Sequence, residues 1–161
     1  MKLAVLYHSE TGNTESVAEI IAEGAREAGD IEVKSMGIED IDDKFVDEAE
    51  AVIFGSPTYL ANISWQTKKW LDTSRSYDLS GKLGAVFATE KYLGGGADTA
   101  LLTLIGHILV KGMIVYSGGA SAGQPYTHYG VVCIEGGNDD QKERAKIFGN
   151  RVASKALELF A

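Results

Sequence analysis

The chain has 161 residues, 45% of them hydrophobic and 24% charged, with 15 Lys and Arg against 23 Asp and Glu for a formal net charge of −8. That length suffices for one domain with a real core, and the acidic balance excludes a nucleic-acid partner, whose phosphates call for an excess of Lys and Arg. Cys133 is the single cysteine, which excludes an internal disulfide. With no signal-peptide pattern and no apolar run long enough for a membrane span, the reading is a cytoplasmic protein without a membrane anchor.

Lys2–His8 has the continuous apolar run of a strand covered on both faces. Val17, Ile20, Ile21 and Ala25 then recur at helical spacing, with Gly29 closing that helix. Ile31–Met36 reads as strand two, and the acidic stretch 38–50 as a short helix burying Ile41, Phe45 and Val46. Ala51–Gly55 reads as strand three, Ser64–Ser74 as a helix capped by Ser64, and Lys82–Thr89 as strand four. Ala97–Val110 follows as a largely buried helix and Met113–Tyr116 as strand five, with Gly130–Ile134 as its continuation or an edge extension. The final helix, Asp139–Phe160, is expected to turn Ile147, Val152, Ala156 and Leu159 inward, and both prolines, Pro57 and Pro125, are expected in loops. Strand and helix alternate five times, the pattern of an α/β fold: a doubly wound parallel sheet with helices on both faces, here one domain over residues 1–161.

Ligands in such sheets sit beyond the carboxyl ends of the strands, where the strand order reverses. Three loops meet there: residues 9–14, 57–62 and 89–96. The first reads Ser9-Glu10-Thr11-Gly12-Asn13-Thr14, and its hydroxyls, backbone N–H groups and helix N-terminus form an uncharged cradle suited to a dianionic phosphate. Gly12 lets the backbone turn and approach closely. Plain helix capping also accounts for some of these hydroxyls. The loop has neither the Gly-Lys-Ser/Thr of a triphosphate site nor the Gly-x-Gly-x-x-Gly of a dinucleotide turn. No Cys/His set has the spacing of a metal site, no nucleophile elbow is present, and Cys133 in its apolar strand reads as inert filling.

The segment Ser9–Thr14 resembles the FMN phosphate loop of the flavodoxins, whose strand order is 2-1-3-4-5. Phe54-Gly55-Ser56-Pro57-Thr58-Tyr59, then Asn62, Gln66, Leu71 and Asp72, with Gly81-Lys82-Leu83, Gly94-Gly95-Gly96, Lys111-Gly112-Met113, Pro125-Tyr126 and Gly136-Gly137, is similar to the WrbA-like branch of the flavodoxin-like superfamily. The resemblance implies a five-stranded parallel sheet and FMN as cofactor. Ser9, Glu10, Thr11, Gly12, Asn13 and Thr14 would hold its phosphate. Pro57, Thr58, Tyr59, Leu60 and Asn62 would lie on one side of the flavin ring, and Thr89, Glu90, Lys91, Tyr92 and Gly94 on the other. It further implies an NAD(P)H-dependent quinone oxidoreductase passing a hydride through flavin N5. The alternative is a flavodoxin electron carrier with redox partner proteins and no substrate of its own. The branch's long insertion after strand two, which helps build its tetramer, is short here, and a homo-oligomer, dimer or tetramer, stays open.

Within that frame Tyr59 and Tyr92 are expected beside the flavin or as ordinary loop aromatics, and Glu90 near the ring or facing solvent. The stretch Leu60-Ala61-Asn62 lacks the Gly that flips in many flavodoxins, and of its residues Asn62 tolerates positive φ best. Without that flip, two-electron chemistry is favoured. His128 is a candidate proton donor to a quinone or a solvated loop residue. His8 abuts the phosphate loop, and His107 reads as a core or interface residue.

Overall fold

The computed structural model describes residues 1–74 and 76–161. Its strands are β1 (Lys2–Tyr7), β2 (Glu32–Gly37), β3 (Ala51–Tyr59), β4 (Asn62–Ile63), β5 (Leu83–Glu90), β6 (Ile114–Val115) and β7 (Val131–Ile134). Its helices are α1 (Asn13–Arg26), α2 (Asp43–Glu48), α3 (Trp65–Thr73), α4 (Ala97–Val110) and α5 (Asp139–Phe160). The sheet runs β2-β1-β3-β5-β6, and every pairing along that path is parallel.

The five-position sheet expected from the alternation is therefore present, but its fifth position is divided. β6 pairs with Leu83 and Gly84 at the start of β5, whereas β7 pairs with Phe87–Glu90 at its end. The loop 116–130 leaves the sheet between the two. Gly130 is forced by this return, because a Cβ there would lie 2.1 Å from the Val86 carbonyl oxygen.

Two apolar layers cover the sheet. Val17, Ile21, Phe148 and Val152 of α1 and α5 pack on one face, and Phe45, Leu71, Leu101, Leu104 and Ile108 of α2, α3 and α4 on the other. The α1–α5 contact is close enough to exclude a side chain. A Cβ on Gly24 would lie 1.9 Å from the Lys146 carbonyl oxygen, and one on Gly149 would lie 2.0 Å from that of Ile21.

Three expectations need correction. Pro57 is not in a loop: β3 runs on to Tyr59, and Pro57 pairs with Thr89 at the strand's outer end, where a missing N–H is tolerated. On α5, Val152 and Ala156 are buried as expected, but Ile147 is half-buried and Leu159, in the last turn, is exposed; Phe148 takes the inward position instead. Finally, α4, expected to be largely buried, is covered on one face only, and Leu102, Leu109 and Val110 stand in solvent.

Candidate functional site

Strand order reverses at β1, which has β2 on one side and β3 on the other, so the crevice opens beyond the carboxyl ends of β1, β3 and β5. A cavity of about 340 Å³ lies there, within the range of small-molecule sites. It is lined by three clusters, Ser9, Glu10, Thr11, Asn13 and Thr14, then Pro57, Thr58 and Tyr59, then Thr89, Glu90 and Lys91, with Glu135 added.

The first cluster is held by the turn from β1 into α1. Gly12 is the N-cap residue, at φ 89°, and its N–H donates to Ser9 Oγ at 3.2 Å. No side chain caps α1. The hydroxyls therefore do not serve as helix caps, and the first-turn N–H groups are left for another acceptor. Thr14 and Thr89, both buried, meet hydroxyl to hydroxyl at 2.8 Å and tie the α1 start to the end of β5. Only one of the two protons is used in that bond, so the other is free for a ligand. Glu10 accepts from Gln66 Nε2 at 2.6 Å. Burial, and then the neighbouring Glu10 carboxylate, raise the Tyr59 phenol above its ordinary pKa, so it stays protonated.

The second cluster sits on a hairpin that the sequence did not announce. Thr58 and Tyr59 pair antiparallel with Ile63 and Asn62, and the turn residues Leu60 and Ala61 both have positive φ, 48° and 62°. This is the backbone of a two-residue I′ turn, made without Gly. Asn62, the residue of the stretch that tolerates positive φ best, does not take it and lies in β4, where its Oδ1 accepts from the Ile63 N–H at 2.8 Å. Ser56 Oγ fixes the hairpin from beneath, donating to the Pro57 carbonyl and accepting from the Ser64 N–H. Ser64 caps α3 as expected, accepting from the Thr67 N–H. Gly96 packs against the turn: a Cβ there would lie 2.5 Å from Ala61 Cα.

The structure thus gathers Ser9, Glu10, Thr11, Asn13, Thr14, Pro57, Thr58, Tyr59, Thr89, Glu90 and Lys91 around one cavity and leaves Gly12, Leu60, Asn62, Tyr92 and Gly94 off its lining. Gly94 lines an adjoining cavity with Leu93 and Gly96. Tyr92 projects into solvent. The Glu90 carboxylate turns to the start of α4 and accepts from the Ala97 N–H at 3.1 Å. Sequence reasoning missed Glu135, which follows β7 at φ 52° and whose N–H donates to the Glu90 carbonyl at 2.7 Å. Only the neighbouring Gly136-Gly137 hinted at a turn there.

His128 is exposed and lines a separate cavity with Tyr126, Tyr129 and Arg144. His8 is buried beside the loop, its Nδ1 2.5 Å from Glu39 Oε1. Trp65 is exposed, and Trp70 lies between Phe54 and Tyr77. Among the described residues no group of three or more His, Cys, Asp or Glu is placed to hold a metal ion, and no helix is long and apolar enough to cross a membrane.

The family model of flavodoxin matches residues 5–96, the stretch from β1 to the α4 start that builds this cavity. A flavodoxin of Clostridium saccharobutylicum is 51% identical over 160 residues, covering 99% of this chain and 100% of that protein. The chain belongs to the flavodoxin family. Its relatives also include an NAD(P)H dehydrogenase (quinone) of Archaeoglobus fulgidus, 31% identical over 98% of both chains. That alignment runs to 189 positions, so the dehydrogenase has segments that this chain lacks. Among solved structures, the flavodoxin, WrbA-like protein of Agrobacterium tumefaciens superposes with a TM-score of 0.81 at 26% identity, covering 98% of each chain. The expected resemblance to both groups holds.

FMN is the cofactor of this family, and the residues present fit it. The α1 N-terminus has uncapped N–H groups, one hydroxyl proton of the Thr14–Thr89 pair is uncommitted, and Thr58 Oγ1 is buried without a partner on the cavity wall. A phosphate ester carrying a flat ring supplies acceptors for these donors.

Proposed function

We propose that this chain is a flavodoxin electron carrier: a single cytoplasmic FMN-binding domain that exchanges electrons with redox partner proteins and turns over no substrate of its own. Ser9, Thr11, Asn13 and Thr14, with the α1 N–H groups, bind the phosphate. Thr58 and Tyr59 on the hairpin, and Thr89, Glu90 and Lys91 at the carboxyl end of β5, hold the ring and exclude water from it. When bound, FMN supplies one- and two-electron redox chemistry. The protein's part is to orient it, and the net charge of −8 steers the carrier toward basic patches on its partners, without drawing it to nucleic acid or membrane.

The observation that carries this reading is the uncapped, cation-free cradle at the α1 N-terminus, facing a cavity walled by the β3–β4 hairpin. The end-to-end match to a flavodoxin of equal span, with no added segments, favours the carrier. The quinone dehydrogenases support a second reading, an NAD(P)H:quinone oxidoreductase passing a hydride through flavin N5. FMN titrated into the apoprotein should saturate at one equivalent with its fluorescence quenched. The holoprotein, mixed with NADH or NADPH and a soluble quinone, should leave nicotinamide absorbance unchanged until a separate reductase protein is added. Sustained turnover without that reductase would establish the oxidoreductase instead.

A further inference from the structure

His8 follows β1 directly and is the only buried one of the three histidines. Its Nδ1 lies 2.5 Å from Glu39 Oε1, in the turn between β2 and α2. A carboxylate there only accepts, so Nδ1 carries a proton and, in the neutral ring, Nε2 is a bare acceptor. That Nε2 is buried with no hydrogen-bond partner. The charged atom it faces is Glu10 Oε1 of the phosphate loop, 3.8 Å away. Gln66 Nε2 donates to that same oxygen, and Gln66 Oε1 is likewise buried without a partner. The neutral ring therefore sets an acceptor against an acceptor, an arrangement that one proton on Nε2 reverses.

The carboxylates around His8 are unbalanced. Among the described residues neither Glu10 nor Glu39 has a Lys or Arg within ion-pair distance, and His8 is the basic side chain that reaches both. Lys69 of α3 lines a neighbouring cavity with Glu39 but forms no ion pair with it. Tyr59 on the hairpin adjoins the Glu10 carboxylate and keeps its proton. Tyr7, which belongs to the layer under α1 and α5, keeps its proton beside Glu15 of α1. Neither phenol supplies positive charge. Glu10 also lines the cofactor cavity, so a dianionic phosphate would share that cavity with a carboxylate no fixed cation balances.

We propose that His8 is the counter-charge of the cofactor site: FMN binding is accompanied by uptake of one proton from solvent onto Nε2, which then donates to Glu10. The inference rests on the FMN reading above and adds to it a positioning residue that lies off the cavity lining. Imidazole suits the task because its charge can change between about pH 5 and 8, whereas Lys and Arg stay charged. The protonated ring satisfies Nε2 and balances Glu10 at the cavity wall. By linkage, a ligand that favours the charged imidazole raises the His8 titration midpoint and is itself bound more tightly as pH falls through that range. The phosphate's own second ionisation, at a pH of about 6, acts in the opposite direction, so the comparison is with His8→Gln, which keeps the phosphate's titration and removes the imidazole's.

Proton NMR follows the imidazoles of the apoprotein and the FMN-loaded protein from about pH 5.5 to 8.5. The His8 signal, assigned by its loss in His8→Gln, should titrate with a midpoint about half a unit or more higher when FMN is bound. His128, on a separate cavity, should titrate nearly alike in both. Across the same range, fluorescence quenching should show FMN affinity of the unaltered protein rising about threefold or more relative to His8→Gln as pH falls, the factor to which half a unit converts. A His8 midpoint indifferent to FMN would overturn the proposal, as would an equal shift at His128 or an affinity ratio that stays flat with pH. The NMR titration of the unaltered protein decides the matter if His8→Gln does not fold. Apoprotein that takes up no FMN at any pH would instead remove the cofactor reading on which this one rests.

Discussion

At the scale of single residues, the site rests on hydroxyls whose neighbours decide their roles. Thr14 and Thr89 satisfy each other across the gap between α1 and β5. Thr14→Val strands the buried Thr89 hydroxyl, and an unsatisfied buried hydroxyl costs about 1–3 kcal/mol. The urea midpoint of the apoprotein should fall accordingly, and FMN affinity should drop about tenfold or more as a donor of the cradle disappears. A substitution that weakened FMN binding with no loss of apoprotein stability would show that the pair serves the ligand alone. Leu60 presents the opposite case. It is fully exposed at φ 48°, and a side chain in the left-handed region costs about 1–2 kcal/mol, only partly offset by the unfolded-chain entropy that Gly would add. Leu60→Gly should therefore raise apoprotein stability by roughly 0.5–1 kcal/mol in urea titration. Residues of this kind mark the limit of sequence reading at the site. Ser9–Thr14 is legible because hydroxyls and a Gly between strand and helix are a local chemical pattern. The Leu60-Ala61 turn is not, because neither residue favours positive φ, and the strain is imposed by β3–β4 pairing and by Gly96 packed against Ala61.

At the scale of elements, the order of strands and helices was legible because buried parallel strands announce themselves as unbroken apolar runs, as Leu3–Tyr7 and Ala51–Phe54 do. Packing between helices was not. Phe148, not Leu159, is buried on α5, because which apolar residues face inward depends on where α1 crosses. That crossing is set by Gly24 and Gly149, whose role is invisible without the facing backbone. Gly149→Ala places a methyl 2.0 Å from the Ile21 carbonyl oxygen, so the helices must separate. Overpacking of this kind costs about 1–3 kcal/mol. The expected result is a fall of that size in stability, with FMN affinity of the folded protein unchanged, because neither helix interior lines the cavity. Guanidinium unfolding and an FMN titration of the same sample separate the two effects. The division of the fifth strand was only half legible: Met113–Tyr116 and Gly130–Ile134 both read as strand, but their shared partner, β5, was not encoded in either segment.

At the scale of the whole molecule, burial links stability to pH on the alkaline side. Cys133 is fully buried, and burial pushes its thiol from 9.0 up to about 11. Burial, followed by the nearby Glu15 carboxylate, raises Tyr7 from 10.0 to about 12. Each group keeps its proton in the native state after the unfolded chain has lost it. The unfolded state then binds fewer protons, and unfolding free energy falls as pH rises. The Cys133 contribution is complete below pH 9.0 and is lost as pH rises through about 11, and the Tyr7 contribution follows in the next window, from 10.0 to about 12. Within each window the slope approaches about 1.4 kcal/mol per pH unit per group. Urea midpoints should therefore be level up to the first window and decline beyond it. Cys133→Ala lowers stability overall by leaving a small cavity, yet it should flatten the first part of the decline and preserve the second. A decline that starts at the same pH with and without the thiol would place its origin elsewhere, in the tyrosines and in lysines that lose their charge and leave the acidic chain's repulsion less balanced.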